Sequence, residues 1–354
     1  MIRKGWLICI VICTLLWCSG CMDIVELREQ SFIVGLGIDL AENNQIEVSL
    51  AEINIQNGGA EQASPDKSTP LIVKSATGKN ISECIRILRT EQFKKLTLNK
   101  VSYIVFSDKL AKKGLIPYKD FLVRSNELDL STQLFVSEAR VKDLFEADRG
   151  KLLEFTTKGY KYLPTFIPSY LWQLLSRMET PLESTFLNRV RLGDDTLAIE
   201  GEAFMKMDKL KVSLNYKETR GVNILLDKKW KNILLFINDA EDTSFLIKRV
   251  QRKDHYAPNH VTLTYTISGN IVESTIENPM AKVQQLEKNG SDSLAKKITD
   301  LLKKNTNEGI DILGIGEKFR QRGWDTSNWQ QRIKDLPIDI RVNLRILDGE
   351  ALKD

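Results

Sequence analysis

The stretch Ile338-Asp339-Ile340-Arg341-Val342-Asn343-Leu344-Arg345-Ile346 alternates apolar and polar residues without a break. Side chains on a strand point to opposite faces in turn, so the aliphatic residues share one face and Asp339, Arg341, Asn343 and Arg345 the other. One face is buried and one is wet, as in a strand that lies on a core while its sheet meets water.

Upstream of this strand, SDSLAKKITDLLKKN (291–305) places Leu294, Ile298, Leu301 and Leu302 on one helix face. Ser291 or Asp292 serves as its cap, and Lys303-Lys304 suits its negative end. HVTLTYTI (260–267) alternates Val261, Leu263, Tyr265 and Ile267, and Ser268-Gly269-Asn270 predicts a turn back into IVESTI. From Thr196 to Lys228 the pattern predicts a hairpin turning at Asp208-Lys209, then a short helix from about Asn215.

Nearer the N-terminus, Phe32–Leu40 and Ile46–Ile55 read as a strand pair joined by AENNQ, with a bulge near Ala51-Glu52 where the apolar phase slips. The polar stretch 56–70 has the Gly, Pro and Ser content of an exposed loop. NISECIRILRT then places Ile81, Cys84, Ile85 and Leu88 on one helix face, so Cys84 reads as a small buried hydrophobe. VSYIVFS (101–107) and TQLFVSEA (132–139) read as strands, each followed by helix. KGYKYLPTFIPSYLW (158–172) gathers Tyr160, Tyr162, Phe166, Tyr170 and Trp172 around two prolines, either as padding against the first core or as a partner-binding or membrane-facing surface. Strands and helices are thus interspersed, which defines an α+β chain of mixed and antiparallel sheets with packed helices. Its 354 residues suggest about two or three domains.

The first residues decide where this chain works. Arg3 and Lys4 precede the apolar run GWLICIVICTLLW, which gives way to Cys18-Ser19-Gly20-Cys21. Charge, apolar core and small residues in that order read as a secretory leader, shorter than the roughly 20 apolar residues that cross a bilayer, with an uncleaved anchor as the alternative. Small residues directly before Cys21 resemble a lipobox, with Cys18 standing where Leu is customary. Cleavage before Cys21 and acylation of its sulfur would remove Cys9, Cys13 and Cys18, leaving Cys84 with no intrachain partner. Two acyl chains anchor firmly where one binds reversibly. The formal net charge is +4, of which Arg3 and Lys4 supply two, and the remaining charges are interspersed. No basic stripe for nucleic acid results.

Residues that would carry catalysis or a metal are sparse. Gly35-Leu36-Gly37 and Gly314-Ile315-Gly316 begin like dinucleotide loops, but Leu40 and Phe319 replace the third glycine, so a close backbone approach and a helix start are the better readings. His255 and His260, in DHYAPNH, read as loop histidines, without the cysteines or acids of a metal set. Asp194-Asp195 and Glu200 with Glu202 read as solvated acids of a turn and a strand's wet face. Arg220, in ETRG, reads as a helix-end ion pair with Glu218 or a neighbour. These readings predict no catalytic residue, no metal and no cofactor.

Taken together, Gly20-Cys21-Met22-Asp23, the GLGID of Gly35–Asp39, Glu218-Thr219-Arg220-Gly221, the DILGIGEKFR of Asp311–Arg320, Trp329 and the final strand resemble the Ger(x)C family, the lipoprotein subunit of nutrient germinant receptors in endospore-forming bacteria. Met22 departs from the Trp that the family most often places after the lipidated cysteine. The resemblance implies a leader over 1–20, an N-terminal α+β domain over 21–190, a middle domain over 191–245 and a C-terminal α+β domain over 246–354. It also implies a non-enzymatic protein held through acylated Cys21 in membrane lipid, on the outer face of the spore's inner membrane, beside two integral membrane subunits. The alternative is an independent envelope lipoprotein that binds a ligand itself.

Overall fold

The computed structural model describes residues 30–54, 71–148, 150–159, 166–193, 197–226, 234–236 and 243–347. The stretch 56–70, Tyr160, Tyr162, Asp194-Asp195 and the whole lipobox lie outside them. β1 (Gln30–Leu40) and β2 (Ile46–Ile53) form the expected antiparallel pair, β3 (Leu71–Gly78) joins β2, and α1 (Ile81–Thr90) follows, capped by Asn80. Then come β4 (Lys95–Thr97), β5 (Tyr103–Ser107), α2 (Asp108–Lys113), α3 (Lys119–Arg124), β6 (Gln133–Ser137), α4 (Val141–Asp148), α5 (Lys151–Glu154) and α6 (Leu171–Arg177). β7 (Phe186–Leu192), β8 (Leu197–Lys206), β9 (Lys209–Ser213) and α7 (Tyr216–Leu225) carry the chain to its second half. That half holds β10 (Leu234–Phe236), β11 (Thr243–Ala257), β12 (His260–Ser274), α8 (Val283–Thr306), α9 (Ile315–Gln321), α10 (Trp329–Asp335) and β13 (Ile338–Ile346).

The strands form two sheets, and the fold is α+β. The first has the order β3-β2-β1-β5-β6-β7-β8-β9, with β4 added beside the start of β1. Its centre is parallel, β1 to β5 to β6 to β7, while both flanks are antiparallel. The second sheet is β10-β11-β12-β13, in which β13 runs parallel to β12.

Parallel strands are covered on both faces, and their residues show it. Ile104 and Phe106 of β5 face one core with Cys84, Leu110 and Leu174, whereas Tyr103 and Val105 face the other with Phe135, Phe145 and Phe166. In β1, Leu36 and Ile38 fill the first core and leave Gly35 and Gly37 on the opposite face. A Cβ on Gly35 would lie 2.3 Å from the Tyr103 ring, and one on Gly37 would lie 2.4 Å from Val141. The glycines therefore admit side chains from β5 and α4, not another backbone as the sequence reading had it. A third core forms where Phe186, Phe204 and Val212 of the first sheet's edge meet the second sheet and α7–α10.

Several local readings are corrected by this packing. The bulge lies at Val34, opposite Ala51-Glu52, because β2 pairs evenly with β3 and cannot itself carry the extra residue. β12 runs straight through Ser268-Gly269-Asn270. A Cβ on Gly269 would sit 2.1 Å from the Leu246 carbonyl, so this glycine serves an irregular ladder with β11, and the turn falls at Pro258-Asn259. That places His255 and His260 on strands. The β8–β9 turn is at Met207-Asp208, where Met207 takes a positive φ.

α8 starts eight residues before the proposed cap, so Ser291 is interior. Its hydroxyl donates to Glu287 O at 2.6 Å and accepts from Leu344 N at 2.9 Å, while Glu287 Oε1 accepts from Ile346 N at 2.7 Å. The helix thereby covers the open edge of β13, whose Val342, Leu344 and Ile346 are buried as the alternation predicts.

Because a buried aromatic ring cannot yield as a flexible chain end does, Gly35→Ala should destabilise the protein by about 1–3 kcal/mol. Urea unfolding should show a lowered midpoint at unchanged slope.

Candidate functional site

The ETRG residues build one wall of a groove of about 400 Å³ between α7 and α8. Asn215 caps α7 by accepting from Glu218 N, and Glu218 Oε2 accepts in return from Asn215 N, both at 2.9 Å. The other carboxylate oxygen accepts from Lys304 Nζ at 2.7 Å, which fastens the last turn of α8 to the first turn of α7. Glu218 is thus taken by a cap and a distant lysine. The Arg220 guanidinium lies over the Tyr216 ring, 5.2 Å from its centre. Gly221 lets the helices close, since a Cβ there would meet Leu301 at 3.1 Å. The groove's floor is Ile224, Leu294, Ile298 and Leu301, and Lys217, Arg220 and Lys297 stand on its rim.

The DILGIGEKFR segment forms a second node. Asp311 is buried, and its Oδ2 accepts from Gly316 N at 2.7 Å and from Trp329 Nε1 at 3.0 Å, while Oδ1 accepts from Leu313 N at 3.1 Å. Gly314 takes a positive φ to start α9 at Ile315, which bears out the helix-start reading. Gly316 leaves room for the Trp329 indole, 2.6 Å from where its Cβ would be. The Asp311 carbonyl also accepts from Ser184 N at 3.1 Å and the Asp311 N–H donates to the Ser184 hydroxyl at 3.2 Å, just before β7, so this node joins the second sheet's layer to the first sheet. Burial outweighs these donors and pushes the Asp311 carboxyl up to about 6.

The remaining residues take structural places. Cys84 is buried against Ile46 O, and burial pushes its thiol up to about 11. Asp39 of GLGID accepts from Val141 N at 3.0 Å to start α4, in a recess of about 440 Å³ at the carboxyl ends of β1, β5 and β6. There Arg140 forks Glu47 at 2.9 and 2.7 Å. Burial also pushes Asp148, beneath Tyr103, up to about 6. Glu200 is half-buried, 3.6 Å from Arg189, but Glu202 is wholly buried, because β8 is covered on both faces and has no wet side at that point. His260 lies 3.0 Å from Asp339 across the β12–β13 pair. Among the described residues no three His, Cys, Asp or Glu side chains are grouped to hold a metal, and no helix is long and apolar enough to cross a membrane. Phe166 stacks on Phe135 inside the core, as the padding reading has it, whereas Trp172 is 47% exposed at the start of α6. Two functional contacts escaped the sequence reading, Lys304 with Glu218 and Ser184 with Asp311, since each joins residues far apart in the chain.

Two sheets and the helices packed on them, tied together at a buried aspartate, define an α+β protein, and two family models match along it. Residues 23–192 match the spore germination protein N-terminal domain, and residues 200–349 match the spore germination B3/GerAC-like C-terminal domain. The chain belongs to this spore germination family. It is 24% identical to spore germination protein KC of Bacillus subtilis (strain 168), over 98% of this chain and 96% of that one. It is 18% identical to spore germination protein GerQC of Bacillus cereus, over 97% and 98%. The crystal structure of the GerBC protein superposes with a TM-score of 0.58 at 16% identity, covering 92% of this chain and all of that one, and so shares its fold.

Asp311→Asn keeps the shape of the side chain but turns an N–H₂ toward donors, so it should destabilise by about 2–4 kcal/mol in chemical unfolding. The folded pKa of Asp311 is raised, so its contribution is complete below about pH 4 and is lost as pH rises through about 6. The penalty of the variant should therefore be larger at pH 5 than at pH 7. Cys84→Ala, by contrast, should cost about 1 kcal/mol at any pH in that range and leave germination intact.

Proposed function

We propose that this protein is the membrane-tethered, non-enzymatic subunit of a nutrient germinant receptor. It is held through acylated Cys21 on the outer face of the spore's inner membrane and works beside integral membrane subunits. The observation that carries this reading is the tandem match to both halves of the spore germination family, the first beginning at Asp23, directly after the Cys18-Ser19-Gly20-Cys21-Met22 stretch. The named relatives are spore germination proteins matched along nearly their whole length. The folded part is divided as 21–190, 191–245 and 246–354, with β8 and β9 of the middle unit extending the first sheet while α7 packs into the third core.

The mechanism is one of placement. A lipid tether confines the folded part to a thin layer beside its partners and raises their effective concentration, so a contact of only micromolar strength holds the complex together. No nucleic acid and no cofactor enter this reading.

Cys21→Ala should move the protein from membrane to soluble fractions or leave an unprocessed precursor. Processed, membrane-bound Cys21→Ala protein would remove the tether from the account. In spores with this receptor alone, deleting the protein should abolish germination by its nutrient and spare nutrient-independent triggers. Normal germination there would favour the independent ligand-binding lipoprotein.

A further inference from the structure

The first sheet has one end at which the chain arriving from Cys21 enters it. In register, Gly35 lies beside Tyr103 and Tyr103 beside Gln133, so the parallel strands β1, β5 and β6 all begin at this end. β1 starts earliest, and Gln30 there pairs with Lys95 of β4. β2 ends and β3 begins at the same end, where Ile53 pairs with Leu71.

Four of the ten large apolar side chains that stand exposed in the described residues surround it. Ile72, 38% exposed, is at the start of β3, and Phe93, fully exposed, precedes β4. Leu130, 54% exposed, precedes β6, and Trp172 donates its backbone N–H to the Leu130 carbonyl at 3.0 Å. A soluble protein does not ordinarily gather exposed Phe, Trp and Leu at one end. Lys94, Lys95 and Lys100 stand at the same end and join no ion pair among the described residues. Of the acids there, Glu52 pairs with Lys74 and Glu127 with Arg89, Asp129 binds Ser131, and Glu91 is exposed.

We propose that this end of the first sheet is a lipid-facing surface, with Ile72, Phe93, Leu130 and Trp172 resting in the interfacial region of the bilayer that holds Cys21. The proposal rests on the tether reading and deepens it. Eight residues lie between Cys21 and Gln30, and at full extension the nine steps from one to the other span at most about 30 Å. The end of the sheet therefore stays near the headgroups, where amphipathic aromatic rings and lysines with apolar stems are favoured. Contact there turns a swinging tether into a fixed orientation, with the carboxyl ends of β1, β5 and β6 pointing away from the membrane.

The test uses the full lipidated protein in vesicles of phosphatidylglycerol and phosphatidylethanolamine, with a nitroxide attached at Phe93→Cys, Trp172→Cys or, at the far end, Lys109→Cys. Cys84 is buried and does not compete for the label. In vesicles that float with the protein, the labels at 93 and 172 should shift toward oxygen accessibility and away from an aqueous nickel chelate, while the label at 109 stays aqueous. Floating protein with all three labels equally aqueous would overturn the surface, leave the tether standing and assign this end to a protein partner or to solvent. Protein that fails to float would bring down the tether reading and this surface with it.

Discussion

The Asp311 carboxylate sits almost out of reach of water, in the loop whose backbone joins the second sheet's layer to the first. A buried polar group without partners is costly, so its oxygens recruit Leu313 N, Gly316 N and Trp329 Nε1. Those bonds fix the loop that starts α9 and seat the largest side chain of the third core, while the backbone N–H and carbonyl of Asp311 hold the chain entering β7 through Ser184. Without that loop the Phe319–Trp329 packing, 5.2 Å between ring centres, would have no floor, and the edge of the first sheet would lose its cover.

What the sequence made legible follows from periodicity. The stripe of α1, the alternation of β12 and of β13 and the start of α7 were readable because each depends on residues within a few positions of one another. What was missed depends on distant partners. Gly269 reads locally as a turn, and only the Leu246 carbonyl beside it shows a strand continuing. Ser291 reads locally as a cap, and only the edge of β13 shows why its hydroxyl lies inside a longer helix. Glu202 alternates like a wet residue, but coverage of β8 on its second face was not visible from β8 itself.

The same distinction sorts the candidate site. Of the ETRG residues, Glu218 and Gly221 hold two helices at their separation, and Arg220 stands at the rim of the groove they create. The GLGID residues likewise hold a layer together: Gly35 and Gly37 admit side chains, and Asp39 starts α4. Short motifs that read as chemistry at first sight are here the points at which elements touch most closely.

One consequence follows from the way α8 lies along β13. A parallel strand at the margin of a sheet offers a row of backbone groups to any neighbouring chain. Ser291 and Glu287 occupy the amides of Leu344 and Ile346, and Asp339, Arg341 and Arg345 line the remaining length with charge. The margin is thereby closed to strand exchange, so that crowded copies do not knit into fibrils through it.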